Sequence, residues 1–406
     1  MKFFKSLRNS FHDYIETNSH QSRVVIKIEK FFSRTSVLSH STFNDYRHQN
    51  QANRRILPCL FARLVMAVYW LKFFIPVVFN TDWAKWITCE FGYIMGNPLL
   101  ISTMLCFCMF WGLIFSSHLQ YEEWKQNLYL LEFMDEIKNN STDLKLNPRN
   151  QRKFCLKINF LFNYLKQIVF PLLVIFVSFV FITSLCITYM DPNTGYSLIL
   201  TIFWSVVSIL WTYYAYSSCL YIFVVWYLTT LYFKYKFNEI NDSFINSNKY
   251  RNKYSFLKDI EYHNRFAVIL NNLSRYLNLV IFFFYYFGTF GGQLIFYISH
   301  EKNTKQMFRF VTAFVSLVLI SMLFGMNLMS ANVIHSAHKP YRLLYDFLIK
   351  TKLSLKDKFE VQEFIEHLSS SKIGFYCLNM FPMNNYHFFK YVIFSVLNYI
   401  LIMNTF

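Results

Sequence analysis

Five stretches of this chain, residues 93–117, 167–190, 196–233, 276–300 and 310–338, contain no Asp, Glu, Lys or Arg. A helix rises about 1.5 Å per residue and the hydrocarbon core of a bilayer is about 30 Å thick, so about 20 apolar residues suffice to cross it. Each stretch reaches that length. Two weaker segments join them: 56–79, interrupted by Arg63 and Lys72, and 373–406, broken near Phe381-Pro382 and at Lys390. The pattern predicts an all-α membrane protein with seven transmembrane helices.

Composition points the same way. The chain is 54% hydrophobic and 21% aromatic, and only 16% charged, where a soluble domain carries about a quarter. The net charge of +17 does not point to nucleic acid, because the basic residues lie between apolar blocks and form no single patch. The eight cysteines include no Cys-x-x-Cys pair, and most sit inside apolar runs as small hydrophobes.

Lysine and arginine set the orientation. With the N-terminus inside, 32 of the 40 fall on cytoplasmic segments, and only Lys85, Lys302 and Lys305 on outer loops. An odd number of spans then puts the C-terminus outside the cell. Residues 1–55 show no signal-peptide pattern and are expected to stay cytoplasmic. Residues 56–338 carry spans one to six with their inner loops, 339–372 form a cytoplasmic helical segment, and 373–406 hold the last span with its cytoplasmic lead-in. Sequons at Asn139, Asn140, Asn241 and Asn272 fall on the inner side or at a membrane edge, so none should be glycosylated.

The outer loops are short, as in the turn Asp191-Pro192-Asn193-Thr194-Gly195, and leave no outer domain to capture a protein ligand. Residues 196–233 would make a helix about 57 Å long, more than a bilayer needs, and are expected to run on into the cytoplasm. Further along, Ser354-Leu355-Lys356-Asp357 reads as an N-cap with an acid three residues on. Phe359, Phe364, Ile365 and Leu368 then mark an apolar helix face. That face either packs on neighbouring inner loops or forms a subunit contact.

Catalytic motifs are not visible: no Walker A loop, dinucleotide fingerprint or Gly-x-Ser-x-Gly elbow. His335 and His338 make one i, i+3 pair, which reads as interfacial and not as a metal site. No catalytic residue, metal ligand or cofactor is expected. Lys72 lies towards the outer end of span one and can snorkel to the headgroups. The outer halves of the spans suggest a pocket for a small organic ligand, lined by Asn97, Ser184, Tyr189, Trp204, Tyr286, Thr289, Gln293 and Thr312, with Ser102 and Tyr285 nearby. Aromatic residues also form belts at membrane interfaces, and that reading stays open for each of them.

The C-terminal segment carries the most specific pattern. It reads Gly374-Phe375-Tyr376-Cys377-Leu378-Asn379, and it closes on Asn398-Tyr399, five mostly apolar residues, then Thr405-Phe406. This resembles the closing signature of the insect gustatory receptors and their odorant-receptor relatives, in which Gly-Phe-Phe-x-Leu-Asp/Asn precedes a final Thr-Tyr, five residues, then Gln-Phe. Gly374, Phe375, Leu378, Asn379, Tyr399 and Phe406 match, while Asn398 and Thr405 depart, as in a divergent gustatory-receptor-like member.

The resemblance implies a ligand-gated non-selective cation channel in the plasma membrane, built as a homotetramer or as a heterotetramer with related subunits. The last span of each subunit lines a central pore. A cytoplasmic anchor holds the subunits together, and Ile402 and Thr405 form the narrow outer gate. Asn398 is seven residues from Thr405 and shares a face with Ile402, as a pore stripe requires. The same stripe would also serve ordinary helix packing. A monomeric secondary transporter, or a scaffold related to the receptors without channel activity, are the alternatives.

Overall fold

In a computed structural model of the chain, the described residues are 28, 56–79, 81–88, scattered positions within 102–118, 133, 145–165, 167, 174, 178, 198–250, 252–286, 292, 293, 296, 306–369, 373–377 and 381–405. Nine helices can be delimited among them: α1 (Ile56–Phe79), α2 (Asp82–Thr88), α3 (Pro148–Tyr164), α4 (Leu198–Lys249), α5 (Lys253–Tyr286), α6 (Gln306–His338), α7 (Tyr341–Lys350), α8 (Leu355–Ser369) and α9 (Asn385–Thr405). Among the described residues the departure from all-α is a ribbon of two short antiparallel strands, β1 (Tyr376–Cys377) and β2 (Phe381–Pro382), just before α9.

Helix α4 is the spine. Its 52 residues make a rod about 78 Å long, and it packs on α1, α2, α3, α5, α6 and α7. As the sequence predicts, the charge-free run at 196–233 continues without a break into Lys234-Tyr235-Lys236. It ends near Asn252, whose side chain accepts a hydrogen bond from Ser255 N at 3.1 Å and starts α5. Among the described residues, the largest part of the hydrophobic core lies along the polar-sequence half of this spine. Phe233, Phe237 and Phe244 of α4 meet Phe256 and Phe266 of α5, Phe347 of α7 and Phe364 of α8 in one continuous cluster.

The short helix α8 begins as expected. Asp357 N donates to Ser354 Oγ at 3.3 Å while Ser354 N donates to Asp357 Oδ2 at 3.2 Å, a reciprocal cap. Val361, Phe364, Ile365 and Leu368 are buried, but Phe359 is 64% exposed. The expected apolar face is therefore corrected: spacing i, i+3, i+4, i+7 selects Val361 as its first member, and Phe359 lies about 160° round the helix from it.

Within α1, Leu60–Phe79 is apolar and long enough to cross a membrane; Ile199–Tyr214 is apolar over a shorter length. Most of spans two and three, at 93–117 and 167–190, lies outside the described residues. Of the sequons, Asn241 is fully buried and donates its amide to Ser336 O at 2.8 Å, so it cannot accept a glycan in this fold.

Candidate functional site

The last helix is introduced by an ordered lead-in. Ile373, Gly374, Phe375 and Cys377 are buried. Gly374 has φ +148°, a conformation that favours glycine, and a Cβ at that position would sit 2.5 Å from Ile334 Cγ1 of α6. The chain is then tied to α5: Gly374 N donates to Asn271 Oδ1 at 3.4 Å and Tyr376 N to Ser274 Oγ at 3.1 Å. Met383 N closes the ribbon on Phe375 O at 2.9 Å. Asn384 caps α9 by accepting from His387 N at 2.9 Å. Two of the signature residues, Gly374 and Phe375, thus have physical jobs in shape and packing. Leu378, Asn379 and Phe406 lie outside the described residues, as does the Tyr399 side chain.

From there α9 runs for 21 residues and touches its own chain along one stripe. Phe388 is buried against Phe324 of α6, ring centroids 4.8 Å apart. Tyr391 meets Tyr285 of α5 edge-on at 5.1 Å. Ser395 O accepts a hydrogen bond of 2.8 Å from Gln293 Nε2. Asn398 is half-buried and continues this stripe by helical spacing. Among the described side chains on its other faces, Phe389, Ile393 and Leu397 are all more than half exposed. Ile402 and Thr405 lie on helical backbone, with their side chains outside the described residues.

Behind the stripe is a buried polar node that the sequence reading only partly reaches. The Tyr285 hydroxyl donates to Asn327 Oδ1, and Asn327 Nδ2 donates to Leu323 O at 2.9 Å. Ser316 Oγ of α6 donates to Gly292 O at 2.7 Å, next to Gln293. Residues in α5, α6 and α9 are therefore joined by a short chain of polar contacts. An asparagine in the middle of the apolar run at 310–338 is the signal that marks this node, since a polar group there needs a partner.

Of the candidate pocket residues, Trp204 and Gln293 have described side chains. Trp204 is buried between α1 and α2, and its Nε1 donates to Ile87 O at 2.8 Å. Gln293 serves the α9 contact instead. Tyr286 and Thr312 have described backbone only, and Asn97, Ser184, Tyr189 and Thr289 lie outside the described residues.

Beside Trp204 is a group the sequence places differently. Lys72 is 2% exposed, and its Nζ stands 5.3 Å from the centroid of Trp204 and 5.8 Å from those of Tyr69 and Phe73. The expected snorkelling is corrected: Lys72 points inward, where three aromatic faces supply attraction that headgroups would otherwise give. Tyr69 also stacks on Trp211 at 4.8 Å, so α1 and α4 share an aromatic box around one cation. The histidines of the i, i+3 pair diverge, with His335 exposed and His338 half-buried.

No family model matches the sequence, and no curated protein matches it. Among solved structures, the chain is similar to the insect olfactory receptor OR5 from Machilis hrabei in complex with eugenol. The TM-score is 0.56 at 11% identity, over 94% of this chain and 100% of that one. The likeness therefore lies in the path of the backbone, and it spans nearly the whole molecule: the chain has the fold of that receptor.

Proposed function

We propose that this chain is a subunit of a chemoreceptor channel of the insect gustatory and odorant receptor superfamily, gustatory-like in its closing sequence. It crosses the plasma membrane seven times with the N-terminus inside. A small organic ligand bound in the outer half of the bundle opens a path for cations along the last helices of four subunits. The observation that carries this reading is α9. It is an apolar helix held to its own chain by one stripe, with Phe389, Ile393 and Leu397 exposed on its other faces, in a fold shared with a receptor solved with a small organic molecule. Such surface needs lipid or further copies of the chain to cover it. A ring of apolar side chains at Ile402 can shut a water path by dewetting.

The test is electrophysiology in a heterologous cell, with a panel of small organic compounds and the variant Ile402→Glu. Ligand-evoked cation current that becomes leaky or altered in the variant supports the reading. Recordings unchanged by Ile402→Glu, or a C-terminal tag reached only after permeabilising the cell, would remove it. A second reading, a monomeric transporter, draws on one feature, the buried Lys72 cation. Imaging of purified particles separates them: a four-fold ring supports the channel and a monomer the transporter.

A further inference from the structure

Helix α3 has two opposed faces. Phe154, Ile158 and Leu161 are buried on one side, against the core that α4 carries. On the other side, Arg149, Lys153 and Lys157 are exposed and fall within about 80° of one another around the helix axis. The same stripe continues with Phe160, 58% exposed, and Tyr164, 45% exposed. Three cations are followed, one to two turns later, by two exposed aromatic side chains.

A neighbouring cation completes the arrangement. Lys157 Nζ lies over the ring of Tyr235 on α4, 5.6 Å from its centroid. The next residue back, Lys234, is half-buried. Burial, and then the charge of Lys157 close by, push the Lys234 ammonium below the ordinary lysine range. Lys157 and Lys234 thus both border Tyr235 where α3 packs on α4. Among the described residues no carboxylate pairs with either. Glu239, five residues further along α4, is engaged elsewhere: it accepts from Asn147 N at 2.7 Å and Asn150 Nδ2 at 3.0 Å, and lies 3.6 Å from Lys236 Nζ.

We infer that the α3–α4 junction is a binding site for an anionic phospholipid of the inner leaflet. Lys157 and Lys234 grip the phosphate headgroup, Arg149 and Lys153 attract it, and Phe160 with Tyr164 lie along its acyl chains. An anion between Lys157 and Lys234 relieves their repulsion, and the order of charge then ring along α3 matches the order of headgroup then hydrocarbon. This inference rests on the membrane reading above, but not on channel activity.

The experiment uses the full chain reconstituted in nanodiscs of phosphatidylcholine alone, or with phosphatidylserine or phosphatidylinositol bisphosphate added. Bound lipid is counted by native mass spectrometry. The wild type is expected to retain the bisphosphate lipid over phosphatidylcholine. Retention should fall about tenfold or more in the double variant Lys157→Gln, Lys234→Gln, and hold in Lys157→Arg, Lys234→Arg. Size-exclusion profile and melting temperature establish that both variants are folded. Equal retention in the glutamine variant, or no preference in the wild type, overturns the site.

Soluble inositol phosphate supplies the second arm. If it competes as strongly as the lipid, and Phe160→Ser with Tyr164→Ser changes nothing, the site is one for free phosphates and the lipid assignment falls. Failure of the chain to enter nanodiscs at all would instead strike the membrane reading itself.

Discussion

The ring of Phe375 lies 4.5 Å from the ring of Trp226, centroid to centroid, and both side chains are buried. Trp226 is in the middle of the spine helix α4, and Phe375 is in the lead-in of α9. The last helix is therefore seated on the spine by an aromatic pair before its first turn begins. Phe375→Ala should cost about 3–5 kcal/mol of stability, the usual price for deleting a fully buried phenylalanine. Phe375→Leu should cost much less. Melting curves of the purified protein check both.

One residue earlier, Gly374 is fixed by backbone and by space together. A Cβ there would meet Ile334 of α6 and would also strain the φ of +148°. Gly374→Ala is expected to destabilise by about 1–3 kcal/mol. The variant Gly374→Ala with Ile334→Ala should recover only the steric part, since the backbone strain remains. Full recovery in the double variant would mean the conformation is not strained. A double-mutant thermal series separates the two contributions.

These relationships mark where the sequence was readable. The 196–233 run announced a helix longer than a bilayer, and the Ser354–Asp357 cap announced where α8 starts, because helix length and capping are local properties. The apolar stripe of α8 was readable apart from Phe359, where composition suggested a core residue and helical phase excluded it. Lys72 was not readable, because whether a lysine snorkels or turns inward depends on the rings that Tyr69, Phe73 and Trp204 bring from two helices. That Trp204 reaches Ile87 and Gln293 reaches Ser395 likewise depends on which helices are neighbours, and no spacing within one span reveals that. The residues of the closing signature were legible as a pattern. That Gly374 accommodates Ile334 was not.

His263 offers a prediction about pH. Its imidazole is fully buried on α5, one ring nitrogen 2.9 Å from Ala337 O. Around it stand Phe237 and Phe244 of α4 and Phe364 of α8, with His338 of α6 and His367 of α8 as the titratable groups facing it. Burial, aided by those two histidines and opposed by the Ala337 carbonyl, pushes the His263 pKa down to about 4. The folded protein therefore disfavours the proton that the unfolded chain accepts near pH 6.5. The stability from neutral His263 is complete above that pH and falls as pH drops from about 6.5 towards 4, by about 2 kcal/mol at pH 5. Melting temperature should fall over that window in the wild type. The fall should be smaller in His263→Phe, and an equal slope in both would show that other groups carry it.

Lys72 tests whether its cation stabilises the fold or serves another purpose. Burying an ammonium costs several kcal/mol, and cation–π attraction of about 2 kcal/mol is one of the terms that offset it. Lys72→Met keeps the volume and removes the charge, so its melting temperature is expected to equal or exceed the wild type's. Lys72→Glu places a carboxylate against the negative faces of three rings and should lower it sharply. If Lys72→Met proves stable and yet abolishes the ligand response, the cation belongs to function. If it unfolds the protein, the aromatic box is a net stabiliser.

The contacts that hold α9 to the rest of its chain should also set how readily the last helix moves. The Gln293 amide reaches the Ser395 carbonyl at 2.8 Å, and a bond of this kind contributes about 1 kcal/mol net. If opening pulls α9 off its stripe, that bond is made only in the closed state. Gln293→Leu should then raise the ligand-free open population about fivefold, and shift the ligand dose response to lower concentration by a similar factor. The Tyr285–Asn327 node gives the companion test. Asn327→Leu alone removes the acceptor of a buried hydroxyl and should cost about 1–3 kcal/mol of stability, whereas Asn327→Leu with Tyr285→Phe removes both partners and should cost less. A Gln293→Leu channel with unchanged basal current and dose response would mean that the Gln293–Ser395 contact persists in the open state, so that α9 bends or rotates beyond Ser395 and leaves the lower stripe in place.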